Sequence, residues 1–483
     1  MTSTTHSEAV SAAPPEPEVD LRRSAVAGGS YLAARHAMSV VLKMIGVLVI
    51  TRVLGPTRYG SYVTAFNIYT YALLIGQAGV GVYLLRHAGP VTENIYRTAY
   101  TVLLGIALCL CVALQFVSLH IAGWTTVEGS GTVLSVLACA LPFTLTTVAA
   151  TARLERNLDY RSIAQVEVTA QLIFYAVGVP MALAGYGAVA LACAWLFQEA
   201  TSCLLAHYRA RVRPHYGFDA RVAREMAHYA SSFSFANWVW QARMLVNPLI
   251  MGPLLGAQAV GIIGMTVGIL ELLSIAKTVA WRLSVAVLSK VQHDTARLRK
   301  AVGEGMELQT LAVGAILLGF GWFGGIAVPI VFGDRWAPVM ELYPFVALSY
   351  LSIATFNVHS AVISILNRNH VLGVANVVHL SLFAGVAALL APRMGFYAYG
   401  IGELATIPVY FAFHLIIARA IGTPNYRLTM LWWLATAIGL FWHHIGYWAI
   451  LVPFLALGVP TESRQRLLAY VHMVRRRPGS VTA

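Results

Sequence analysis

The chain has 483 residues, 58% of them hydrophobic and only 11% charged, with a mean hydropathy of +0.69. Soluble domains carry about 25% charged residues, so a soluble globular fold is excluded. The excess of 33 Lys and Arg over 20 Asp and Glu gives +13; in a membrane protein such an excess marks which loops stay inside, and no aromatic-interleaved basic patch points to nucleic acid.

Residues 1–20 are rich in Ser, Thr, Pro and Glu without an early apolar region, and read as a disordered cytoplasmic tail. Arg22 and Arg23 then precede the first apolar run. Runs long enough to cross a ~30 Å hydrocarbon core fall near 24–52, 61–85, 98–122, 131–152, 162–184 and 187–208, giving an N-terminal lobe over 21–213. A second set near 228–251, 258–281, 306–332, 340–366, 370–392 and 395–418 gives a C-terminal lobe over 214–420. As one helix, Arg427–Val459 would be ~50 Å long, too much for one pass. Within 421–460 the chain therefore reads as two short helices turning at His443 and His444, followed by a basic cytoplasmic tail over 461–483. The expectation is an all-α polytopic bundle of about 14 transmembrane helices: two pseudo-symmetric six-helix lobes and a C-terminal helix pair. With both termini inside, 25 of the 33 basic residues fall in inside loops, 4 in outside loops and 4 within spans.

The chain repeats itself at low similarity. Leu54-Gly55 to Gly60 recurs as Leu255-Gly256 to Gly261, each just after the first helix of its set. Leu154, Arg156 and Asn157 match Leu366, Arg368 and Asn369, and Gly185-Tyr186-Gly187 is echoed by Gly395-Phe396-Tyr397. An even number of helices separates the copies, so the lobes should be related by an axis along the membrane normal. Leu54–Gly60, with Gly and Pro where a tight turn needs them, reads as a turn, and Arg58 lies at its mouth.

The loops leave no room for a catalytic domain, and no phosphate-cradling GxxxxGK[ST], HExxH or strand-borne GxSxG is present, which excludes ATP-driven transport within this chain. The chain reads as a non-enzyme with no cofactor and no metal. Its five cysteines, Cys109, Cys111, Cys139, Cys193 and Cys203, lie in apolar runs without zinc or disulfide spacing.

Charges inside the bilayer carry the functional signal, because each costs roughly 2.5 to 3.5 kcal/mol on insertion scales. Arg35 and Lys43 share a face of the first helix, Arg243 lies on the repeat-equivalent seventh, and Lys277 lies on the eighth. Together they form a candidate cationic lining for a phosphate or pyrophosphate between the lobes. Glu167, Glu199, Glu271 and Glu403 also fall in spans, and could be their structural partners; Glu271, Glu199 and Glu403 are equally candidates for ion coupling. Gln77, Asn67, Asn237, Gln241 and Asn247 suit sugar contacts or interhelical hydrogen bonds. His120, His359, His379 and His414 are scattered one per helix and read as core residues, whereas Trp124, Trp432 and Trp433 near span ends read as interfacial anchors.

Several stretches together resemble the polysaccharide transporter family, the lipid-linked oligosaccharide flippases of the multidrug/oligosaccharidyl-lipid/polysaccharide exporter superfamily. They are Thr51–Tyr62, Gly79–Arg86, Arg153–Arg161, Gly185–Ala188, Leu254–Gly261 and Phe332–Trp336, within about residues 24–420. The resemblance implies two six-helix lobes, alternating access, and a cationic central cavity for a polyprenyl-pyrophosphate-linked glycan in a cytoplasmic membrane. Arg35, Lys43 and Arg243 match the family's habit of placing basic residues in helices 1 and 7. It implies a lipid-linked oligosaccharide as substrate, the lipid bilayer as surroundings, and a polysaccharide polymerase and glycosyltransferases as partners. The competing expectations are an ion-coupled multidrug or small-molecule exporter of the same superfamily and a membrane glycan polymerase or ligase, for which the large outside loop is missing.

Overall fold

The computed structural model describes residues 51–87, 89–212, 216–274, 288–366 and 368–475, and all regular structure among them is helical. The first five long helices are α1 (Thr51–Arg86), α2 (Glu93–Thr125), α3 (Ser130–Arg156), α4 (Tyr160–Leu183) and α5 (Ala188–Ala210). Next, α6 (Ala220–Gln241) runs through a 3-10 turn (Ala242–Leu245) and a π turn (Asn247–Met251) into α7 (Gly252–Leu273). Then come α8 (Thr295–Phe332), α9 (Pro338–Ile365), α10 (Asn369–Met394) and α11 (Tyr397–Ile421). The shorter α12 (Arg427–Leu440), α13 (Leu451–Gly458) and α14 (Thr461–Arg475) close the chain. Ten helices among the described residues are long and apolar enough to cross a membrane, and two shorter apolar ones follow. The expected span 24–52 lies almost entirely outside the described residues, so the full set of fourteen is not in view.

The buried side chains form separate clusters. One gathers Leu54, Tyr69, Leu103, Leu134, Leu145 and Leu191 from α1, α2, α3 and α5; others gather Met251 of the π turn with Leu317, Leu351 and Phe383, and Val302, Val362 and Ile417, from α8 to α11. At the centre of the second half is α9, whose apolar window is 83% buried, against 22% for α2 and α10. Those outer helices turn Leu108, Val112, Phe116, Val374 and Leu389 outward. Water would not tolerate an apolar surface of that extent, whereas lipid would.

Three local features have identifiable causes, two of them departures from the sequence reading. Helix continues through Leu54–Gly60 instead of a loop, broken only at Gly55, whose φ of +69° is left-handed; Gly256 repeats the break with φ +77°. Gly60 is thus not a turn residue but a crossing point. A Cβ on Gly60 would overlap the Ala257 carbonyl, and a Cβ on Gly261 would overlap that of Pro56. The repeated glycines therefore let α1 and α7 meet backbone to backbone, as small residues do between membrane helices. Second, Arg427–Val459 is broken around His443 and His444, with Gly446 at φ +116° between two short turns, as expected. Third, residues 461–475 are helical, not merely a tail. Trp432, read as an interfacial anchor, is buried and donates from Nε1 to Ser463 Oγ at 2.9 Å, because the indole N–H needs a partner once α14 covers it.

Candidate functional site

Between the two halves lies a cavity of about 670 Å³. α1 supplies Tyr59, Tyr62 and Phe66 at a spacing that puts them on one helical face. Tyr62 stacks on Phe66 with centroids 5.1 Å apart, and Trp195 from α5 meets Phe66 edge-on at 4.9 Å. Phe174 and Tyr175 of α4 extend this aromatic wall. Carboxamides of Asn67, Gln171, Gln198 and Asn247 and the carboxylates of Glu167, Glu199 and Glu271 face the same space. Among the described lining residues there is no Lys or Arg.

The break after α6 positions part of this wall. Pro248 has no N–H to offer the Met244 carbonyl, and that carbonyl accepts from Asn67 Nδ2 across the cavity at 3.0 Å. Asn247 donates from Nδ2 to the Val260 carbonyl at 3.1 Å, pinning the π turn to α7. Gln198 Nε2 donates to Glu199 Oε1 at 3.2 Å, so the buried Glu199 sits beside a carboxamide. Among the described residues, one end of the cavity is bounded by the Gly60–Gly261 crossing, by Val63 against Gly264, and by Thr126 Oγ1 donating to the Gly252 carbonyl at 2.9 Å.

Arg243 takes the pairing alternative. Its Nη2 donates to both oxygens of Glu403 at 2.7 Å; Ser349 Oγ adds a bond to Oε2 at 2.9 Å, and the guanidinium lies 4.4 Å from the Trp240 ring centroid. Glu403 is only 2% exposed and Arg243 14%, so the pair is largely desolvated. Arg35, Lys43 and Lys277 fall outside the described residues. Glu199, Glu271 and Asn247 line the central cavity, Asn237 lines a smaller one among α6, α9, α10 and α11, and neither Gln241 nor Gln77 lines either. The aromatic wall escaped the sequence reading, although the Tyr59, Tyr62, Phe66 spacing and the Asn247-Pro248 pair inside a span were signals for it. The four histidines also separate: His359 Nε2 and His414 Nδ1 both meet Tyr426 Oη, at 2.9 and 3.0 Å, while His379 stands buried in the smaller cavity and the His120 ring stacks on Trp124.

Comparison with known proteins fits this arrangement. Residues 49–341 match the family model described as "Polysaccharide biosynthesis protein". The succinoglycan biosynthesis transport protein ExoT of Rhizobium meliloti (strain 1021) is 22% identical over 317 residues, covering 64% of this chain and 62% of ExoT. The lipopolysaccharide biosynthesis protein WzxC of Escherichia coli (strain K12) is 20% identical over 343 residues, 68% of each chain. The chain thus spans about two thirds of the length of these curated relatives. Among solved structures, the lipid II flippase MurJ in an inward closed conformation aligns with TM-score 0.69 at 12% identity, covering 92% of this chain and 99% of its own. An inward-facing multidrug resistance MATE transporter of the MOP superfamily aligns with TM-score 0.64 at 12% identity, covering 80% and 97%. With more than half of its length in the match, and a fold like that of these solved structures, the chain belongs to the polysaccharide biosynthesis protein family.

Proposed function

We propose that the protein is a flippase that carries a polyprenyl-pyrophosphate-linked oligosaccharide across the cytoplasmic membrane for cell-surface polysaccharide assembly, by alternating access of residues 21–213 against 214–420. The observation that carries this reading is the cavity itself. It lies between the two halves, is walled by aromatics and carboxamides that suit sugar rings, and is closed at the end the positive-inside count assigns to the outside. The headgroup enters from the basic end while its lipid tail stays in the bilayer, and Arg35 and Lys43, with Lys277, compensate the pyrophosphate charge. A polysaccharide polymerase and glycosyltransferases are the partners that fit such a step.

Depletion in the native host tests this. Lipid-linked sugars should accumulate on the inner leaflet as one complete unit, measured by mass spectrometry with an impermeant glycan probe separating the leaflets. Arg35→Ala and Lys43→Ala should reproduce that accumulation at normal membrane level, and full export by both variants would remove these residues from the site.

One observation favours the small-molecule exporter instead: the described lining carries Glu167, Glu199 and Glu271 and no cation, a polarity suited to a cationic drug or a coupling ion. Unchanged glycan pools on depletion, with raised cellular retention of a cationic dye, would establish that reading.

A further inference from the structure

The second half of the protein contains its own cavity of about 250 Å³, lined by α6, α9, α10 and α11, with polar groups set into a mostly apolar wall. Carboxamides reach it from three different helices, Asn237, Asn357 and Asn376, and Ser360 adds a hydroxyl. His379 and Tyr410 also line it, 2% and 6% exposed, and His379 Nε2 and Tyr410 Oη have no hydrogen-bond partner. Burying an unpaired imidazole nitrogen and an unpaired phenol costs free energy that nothing inside the protein recovers. Both residues belong to the wall of one cavity, whose occupant is the nearest available partner for them.

The chemistry of the wall narrows the occupant. No residue lining the cavity carries a formal charge at neutral pH other than through His379, and Arg243 nearby is held by Glu403. An anion or a metal ion is therefore not served. Carboxamides offer donors and an acceptor together, which matches vicinal hydroxyls that also do both. Trp240 and Phe413 supply flat faces for the C–H side of a ring. The volume lies below the roughly 300 to 1,000 Å³ of drug-sized sites, and is closer to a single sugar ring.

We propose that this cavity is a subsite for one uncharged sugar residue, separate from the central cavity. Its saccharide chemistry stands on its own residues; that the sugar belongs to the glycan of the lipid-linked substrate rests on the proposed flippase function. During transport one sugar would dock in the second half while the rest of the headgroup lies in the central cavity. The moving lobe would thereby grip its load.

The full chain in lipid nanodiscs, free of sugar-based detergent, is photolabelled with a diazirine-bearing uncharged hexose and the labelled peptides are sequenced. Label is expected in 237–240, 357–360, 372–379 and 409–413, competed by free hexose and not by inorganic phosphate. Asn357→Leu should reduce it about tenfold, as loss of one or two hydrogen bonds does. Asn237→Leu, at an exposed position where folding is not at stake, should reduce it in the same sense. Label confined to 59–70, 167–175 and 195–202 would overturn the subsite and leave the flippase reading standing. Competition by phosphate instead of hexose would overturn the uncharged class, and label that no sugar competes anywhere would overturn both.

Discussion

Arg243 makes two 2.7 Å bonds to one carboxylate, and this decides what its substitutions do. Removing one partner strands a desolvated charge, which costs about 3–5 kcal/mol, whereas replacing both by apolar groups is often neutral. Glu403→Leu is therefore expected to lower the thermal midpoint of the purified protein sharply, and Arg243→Met added to it should recover most of the loss; a midpoint unchanged by Glu403→Leu would show the pair is not desolvated. Both residues stand out in the sequence as charges in apolar runs. That they pair does not, because 160 residues separate them and only the folded bundle brings α11 within reach of the 3-10 turn after α6. The same limit hid Asn67 as the partner of Met244, where the Asn247-Pro248 step exposes a carbonyl whose acceptance is decided on another helix.

Among the elements, α14 shows how a basic stretch becomes structure. Arg466 donates from Nε to Glu307 Oε2 at 2.9 Å and from Nη2 to Glu304 Oε1 at 3.1 Å, while Tyr470 bonds Glu307 at 3.4 Å. Burial, with Glu307 close by, pushes the Tyr470 hydroxyl up to about 12, so it remains a neutral donor through the physiological range. These bonds tie α14 to the start of α8, and the Trp432–Ser463 bond ties it to α12. Arg466→Ala leaves Glu307 poorly compensated, but Arg466 is 35% exposed and water shares the role, so the expected loss is about 1–2 kcal/mol. Hydrogen exchange localises the effect: amides of 461–475 should exchange faster in the variant, and unchanged protection there would show that α14 is held by its apolar face alone. Charge counting assigned this stretch to a tail because its carboxylate partners lie about 160 residues earlier. The spans themselves were legible, since apolar length is a local property: α2 to α5 and α8 to α11 cover the stretches marked by hydropathy. The helical start of α6 at Ala220 and of α8 at Thr295 was not, because those turns extend beyond the apolar runs.

For the molecule as a whole, the repeat read from Leu54–Gly60 and Leu255–Gly261 has a physical meaning that the sequence alone did not carry. The copies do not merely occupy equivalent places; they touch. On the proposed flippase reading, alternating access requires that this contact break and reform, which a covalent bond at the same place can prevent. A Cβ at Gly264 would lie 3.3 Å from the Val63 Cβ, close to the roughly 3.5–4.5 Å span of a disulfide. The Val63→Cys, Gly264→Cys pair should therefore crosslink on oxidation, abolish export, and regain it on reduction. Full export with the bond formed would mean the halves do not part here. One consequence concerns where energy enters the cycle. Gly60, Gly261, Pro56 and Ala257 bring only main chain and small side chains to the crossing, so these four residues offer no side chain that takes up a proton or binds an ion. On the proposed flippase reading, a door with no lock at the point where its leaves cross is worked from elsewhere, and the drive acts at a distance from these four residues, as tilt of the halves.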